Sequence, residues 1–346
     1  MSERREIKGL DTLRFVAALT VALSHGAAFP LRDLLGGGDG WIRLITGAYD
    51  VSFDGVAAVI VFFIISGFCI HYGPAAGAPF RTLPFWTRRG VRILIPLAGA
   101  VALAGALGAA ATGALEVVLW SVYCELIYYA IYPLLRLAFR AIGVGWVLAA
   151  ASAISAAMLL WGWKAPFYWS FSPALTWLLA APAWLLGCLL AERIAAGSVI
   201  VRFGNVWFWR AATWAWAAAA TAVFFHGPFK VGYPLLLAPF QLVAFRWIWA
   251  EIQHFERRPP SRLLEWCGRW SYSLYLVHNS IIAITPLSQA HLIVSWALRV
   301  VLVFVATLVF YAAVEAPSHR LARMASRRLA RALSPGGVRA PELAAP

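Results

Sequence analysis

Three side chains with acid, base or nucleophile chemistry sit where an apolar chain has no ordinary use for them. In "GLDTLRFVAALTVALSH", residues 9–25, Arg14 and His25 stand eleven residues apart. That is almost three whole helical turns, so both are expected on one face of a helix, roughly 16 Å apart along its axis. Glu125 lies in "LWSVYCELIYYAIYP", residues 119–133, and His278 in "SYSLYLVH", residues 271–278. Ionisable groups in a membrane span are costly, face the bundle interior and mark a pathway or a reaction site. Histidine suits proton transfer near neutral pH. A carboxylate at comparable depth orients such a histidine or stabilises its charged form.

The arginines give this chemistry a direction. "RRGVRILIP", residues 88–96, sets Arg88, Arg89 and Arg92 as a cationic step ahead of an apolar run. With Arg14 they form a basic mouth suited to a phosphate-rich ligand, because a guanidinium offers forked donors and stays charged. A nucleotide-bearing donor entering from the basic side, with reaction deeper in the membrane, is the expected arrangement. Taken singly, each residue has a plainer use: Arg14 as a snorkelling anchor, a lone histidine as an interhelical hydrogen bonder, the basic step as a topology signal. Glu125 has the weakest plain use, since a lone carboxylate needs a partner or a proton.

The elements that position these groups follow from composition. Of 346 residues, 62% are hydrophobic and 13% charged, against about a quarter charged in soluble domains. An all-α, polytopic membrane bundle is therefore expected. Ten apolar runs approach bilayer length, at 10–29, 51–72, 91–111, 117–139, 144–163, 173–191, 211–225, 231–249, 270–287 and 292–314, the seventh being the weakest. The net charge of +14 would point to nucleic acid only if the basic residues shared a soluble face. With both termini cytoplasmic, all but Arg32, Arg43, Lys164, Lys230 and Arg299 of the 29 Lys and Arg fall on the inner side, as the positive-inside rule requires. A multi-pass protein of the cell (inner) membrane, with lipid as a partner and no nucleic acid, is expected.

Cys69, Cys124, Cys188 and Cys267 are scattered without CxxC spacing, so packing roles are expected and no metal site. The basic and then apolar start is read as a retained first span, because cleavage near Ala27 would discard Arg14 and His25. Residues 1–319 form one membrane domain. The tail, 320–346, places Leu321, Ala325, Leu329 and Leu333 on one stripe among arginines, which suits the anionic inner leaflet before disorder sets in near Pro335.

Six segments in this order resemble integral-membrane acyltransferase family 3, whose members O-acylate sugars and other surface or secreted molecules. Besides the opening Arg and His segment they are "VIVFFIISGFCI" at 59–70, "RRGVRILIP", the Glu125 segment, "WSYSLYLVH" and "VEAPSHR" at 314–320. The resemblance implies an acyl-CoA donor, acetyl-CoA in the simplest case, used as a co-substrate with no permanently bound cofactor. Arg14, Arg88, Arg89 and Arg92 become candidates for its phosphates. His25 becomes the base that activates a hydroxyl of a glycan or glycoconjugate acceptor, or a transient acyl carrier, assisted by Glu125. Ser66, Tyr129, Tyr272, Tyr275 and His278 become candidate pocket residues. The interval from Arg92 to Glu125 is short for the family, so a trimmed third span is expected. The competing class is a proton-coupled secondary transporter of a lipid-linked sugar or small solute, which interior ionisable groups allow but an arginine step does not explain.

Overall fold

The computed structural model describes residues 7–36, 39–198, 205–228 and 230–333, and these residues form helices with no strand. The ten principal helices are α1 Leu10–Ala22, α2 Gly55–Ala75, α3 Thr82–Leu107, α4 Ala109–Ile142, α5 Val144–Trp161, α6 Pro173–Ala195, α7 Val206–His226, α8 Phe240–Arg257, α9 Ser271–Ile284 and α10 Leu292–Phe310. A π-turn, Leu23–Ala27, prolongs α1, and a second, Tyr311–Glu315, carries α10 into α11, Ala316–Ala332.

Eight candidate membrane spans are long and apolar enough to cross a bilayer, and they take in α1 to α6, α8 and α10. The two further expected spans differ. The seventh, α7, has 21 residues, but alanine and tryptophan dilute its apolar character. The ninth, α9, has only 14 residues, about 21 Å of helix against roughly 30 Å of hydrocarbon. It is instead a short interior helix, with Ser271 and Ser273 to Ile282 buried.

The expected third span begins early. Because α3 starts at Thr82, the Arg88 to Arg92 step lies on the helix instead of ahead of it. Gly108 alone separates α3 from α4, with φ 103°, a conformation that only glycine adopts without strain. The short interval between Arg92 and Glu125 is thus explained by the missing loop, since both helices are long.

The bundle closes around a crossing of α2 and α6. A Cβ on Gly67 would lie 1.9 Å from the Trp184 carbonyl oxygen, and one on Gly187 would lie 2.0 Å from that of Ile64. Small residues let the two backbones touch, which is how helices pack where lipid removes the hydrophobic driving force. Ile64, Phe68 and Trp184 are fully buried there. Peripheral helices turn the opposite way, with Trp146 and Leu160 on α5 and Val294 and Val309 on α10 exposed.

The tail helix α11 packs on α3 through Ser318, Ala322 and Ser326, and Arg81 Nη1 donates to the Ala330 carbonyl at 2.7 Å. Leu321 and Leu333 of the expected stripe stay exposed. The expected disorder beyond Pro335, and Arg4, Arg5, Arg202 and Arg339, lie outside the described residues.

Candidate active site

The two histidines meet. His25 sits in the π-turn that ends α1, and its Nδ1 lies 3.0 Å from the Val21 carbonyl oxygen and 3.1 Å from Nε2 of His278. Nδ1 of His278 lies 2.9 Å from the Leu274 carbonyl oxygen. A carbonyl only accepts, so the His278 proton belongs on Nδ1 and its Nε2 is an acceptor. His25 must then donate from Nδ1, which leaves its Nε2 as the basic nitrogen. Among the described residues no protein group takes that nitrogen. His278 is fully buried, whereas His25 helps line a cavity of about 600 Å³.

That cavity shares its wall between Ser24, His25, Tyr275 and the start of α2. Aromatic rings form another part, where Phe167 and Trp169 stack at 4.6 Å beside Trp120. Arg32 and Asp50 pair at 2.6 Å among the lining residues. Asp54 caps α2 by accepting from Ala57 N–H at 2.8 Å and takes the Thr221 hydroxyl at 3.2 Å. A second cavity, of about 630 Å³, lies between the Gly143 turn and the end of α6, and no expected site residue lines it.

Glu125 belongs to a different cluster. The expected pairing of His25 with Glu125 is not made: Ser66 Oγ donates to Glu125 Oε1 at 2.6 Å and the Tyr129 hydroxyl donates to the same oxygen. Glu125 sits halfway along α4, and packing brings α2 to it there. Ser66 and Tyr129 hydroxyls also lie 3.1 Å apart. The Arg89 guanidinium stands 5.7 Å from the Tyr129 ring centre, a cation over a π face.

The other arginines gather at this end. Arg14 Nη1 donates to Asp11 at 2.5 Å and Nη2 to Cys69 Sγ at 3.0 Å. Arg92 lies within electrostatic reach of Arg14, Arg89 and Glu315. Arg88 is exposed on α3. Three cations so close repel one another, and an anion among them relieves that repulsion.

Between the two clusters runs α9. Tyr272, Tyr275 and His278 recur every third residue and share a face. The Tyr272 hydroxyl donates to Ile93 O at 3.3 Å on α3, and Tyr275 lies 2.7 Å from Ser121 Oγ and donates to Val118 O at 2.8 Å on α4. Of the expected site residues, then, His25, His278 and Tyr275 assemble at one end and Arg14, Arg89, Arg92, Ser66, Glu125 and Tyr129 at the other.

Arg299 escaped the sequence reading, which counted it only among the basic residues not on the inner side. It lies on α10 and is 8% exposed; the signal was its position seven residues inside an apolar run that begins at residue 292. Glu315, which accepts from Ser273 N–H at 3.0 Å and from its hydroxyl at 2.5 Å, holds the start of α9.

The family model described as an acyltransferase domain matches residues 7–315, a stretch containing both clusters and ending on Glu315. No curated protein and no solved structure matches the chain.

Proposed function

Because the chain belongs to the acyltransferase family 3 domain family, we propose that it is an O-acyltransferase. It moves a short acyl group, acetyl in the simplest case, from acyl-CoA to a hydroxyl of a cell-surface or exported glycan. The basic end faces the cytoplasm across the inner membrane, a reading supported by the distribution of Lys and Arg along the chain. There Arg14, Arg88, Arg89 and Arg92 hold the CoA phosphates by charge-assisted hydrogen bonds. The pantetheine arm passes the Ser66, Glu125 and Tyr129 cluster on its way toward His25, a separation of roughly 16 Å along α1.

The acceptor occupies the cavity beside His25, where Trp120, Phe167 and Trp169 give flat apolar faces and the polar lining takes hydroxyls. His25 Nε2 removes the acceptor hydroxyl proton as that oxygen attacks the thioester carbon. The carbon–sulfur bond then breaks, and the CoA sulfur leaves with the proton returned from His25. The single observation that carries this assignment is that Nδ1 of His25, a residue of the cavity wall, is engaged by Val21 and His278, which leaves Nε2 as its basic nitrogen.

The test is incorporation of labelled acetyl from acetyl-CoA into envelope glycans by membranes carrying the wild type, Arg14→Ala or His25→Ala at matched protein levels. Label is expected with the wild type, is reduced by Arg14→Ala and is abolished by His25→Ala. Full transfer by His25→Ala overturns the assignment of the base, and labelling independent of acyl-CoA overturns the donor.

A further inference from the structure

We infer that Arg299 is a positioning residue that sets the contact between His25 and His278 by tying together the ends of the two helices that carry them. Its Nη1 donates to the Gly26 carbonyl at 3.0 Å, while Nε and Nη2 donate to the Thr285 carbonyl at 2.8 and 2.5 Å. Gly26 follows His25 directly and closes the π-turn with φ 107°. Thr285 is the C-terminal cap of α9, two turns beyond His278.

Both carbonyls belong to helix ends, where the last C=O groups have no partner within the helix and the dipole is negative. In a membrane protein a carbonyl left unsatisfied away from water is costly. One guanidinium satisfies the two at once, and the cation has the sign both ends favour. Only arginine presents a rigid fork wide enough for two separate helices. Trp296, one turn earlier on α10, adds a donor by giving its Nε1–H to the Ala27 carbonyl at 3.1 Å. Helix α10 therefore reads two consecutive carbonyls of the histidine turn, those of Gly26 and Ala27.

Two other uses of Arg299 fail on the same geometry. A topology signal at the outer boundary needs exposure, and this residue is 8% exposed. A substrate contact needs the cavity, and Arg299 is not among the residues lining the one at His25. What remains is a clamp that fixes the π-turn against the end of α9, and with it the separation of 3.1 Å between the imidazoles.

The kinetic part of this inference rests on His25 being the base; the structural part does not. Loss of the clamp lets the turn shift, and a misplacement of about 1 Å costs on the order of 10²-fold in rate. Arg299→Gln is therefore expected to lower kcat by about that factor while the KM for acetyl-CoA stays within about twofold, since the arginine cluster lies at the other end. Adding guanidinium ion to Arg299→Ala restores part of the rate. Independently of turnover, carbethoxylation followed by mass spectrometry of the full-length protein reads the contact. In the wild type His25 is modified and His278 is protected; in Arg299→Gln His278 becomes reactive.

Wild-type kcat together with continued protection of His278 in Arg299→Gln overturns the inference. So does a parallel fall of kcat, donor affinity and thermal transition without guanidinium rescue, which is the signature of a purely structural residue. A wild type that transfers no acyl group refutes the proposed function, while the modification pattern still decides the clamp.

Discussion

Replacing His278 distinguishes a histidine that orients the base from one that shares its proton. Nδ1 of His25 has two acceptors, the Val21 carbonyl at 3.0 Å and His278 Nε2 at 3.1 Å. Removing the second leaves the first, so the tautomer that exposes a basic Nε2 survives. The loss is then about one neutral hydrogen bond, roughly 0.5–1.5 kcal/mol, or about 2- to 13-fold in rate. That is far below the roughly 10⁴-fold that follows when the sole orienting group of a catalytic histidine is removed. His278→Phe is expected to fall in this window. His278→Gln, whose amide offers an acceptor to His25 and a donor to Leu274, stays closer to wild type. The assay is the initial rate of labelled acetyl transfer at saturating acetyl-CoA, with protein levels matched and the thermal transition checked in detergent. A loss of about 10³-fold or more in a stably folded His278→Gln refutes the reasoning, because His278 then takes part in moving the proton.

Three further outcomes follow from particular contacts. Gly67→Ala puts a Cβ 1.9 Å from the Trp184 carbonyl oxygen, forcing α2 and α6 apart at a cost of about 1–3 kcal/mol or more. Its thermal transition falls, whereas Gly113→Ala, where a Cβ meets nothing within 4 Å, serves as an unaffected control. Arg210→Ala strips the fork that holds the buried Glu251 at 2.6 and 2.9 Å, leaving that carboxylate to Trp247. Denaturation should show a loss of about 3–5 kcal/mol, largely recovered when Glu251→Gln is added. Arg89→Ala removes one proposed phosphate contact and is expected to raise the KM for acetyl-CoA by about 10- to 100-fold, the equivalent of roughly 1.5–3 kcal/mol, with kcat little changed. An unaltered KM excludes Arg89 from the donor site.

The bundle was legible because apolar runs of bilayer length are a strong one-dimensional signal, and eight of the ten runs fall in helices long and apolar enough to cross a membrane. The ninth misled for a physical reason. Trp270 and the Pro-Leu pair at 286–287 extend its apolar run in sequence, but the helix itself stops at Ile284, where Arg299 takes the next carbonyl from another helix. Nothing local encodes that bond. The expected pairing of His25 with Glu125 failed similarly, because opposite charge and similar depth say nothing about which helices are neighbours. It is α9, packed against α1, α4 and α10, that reaches the histidine turn. The π-turns at Leu23–Ala27 and Tyr311–Glu315 were also invisible, since a turn closed over one extra residue leaves no compositional mark.

These omissions share one element. Helix α9 is too short to be held in place by the bilayer, and its position is fixed by what grips it. At its start, where the dipole is positive, it meets the carboxylate of Glu315 through Ser273; at its end, where the dipole is negative, it meets the guanidinium of Arg299 at Thr285. Between them its tyrosines and histidine bond to α3, α4 and the turn after α1. A helix gripped at both ends and along one face has little freedom to tilt or slide. It therefore acts as a rigid spacer between the arginine end and the histidine pair. Two long-range ionic anchors thus preorganise His278 against His25 without either anchor entering the cavity, and a polar site in an apolar bundle needs such support if its geometry is to persist before substrate arrives.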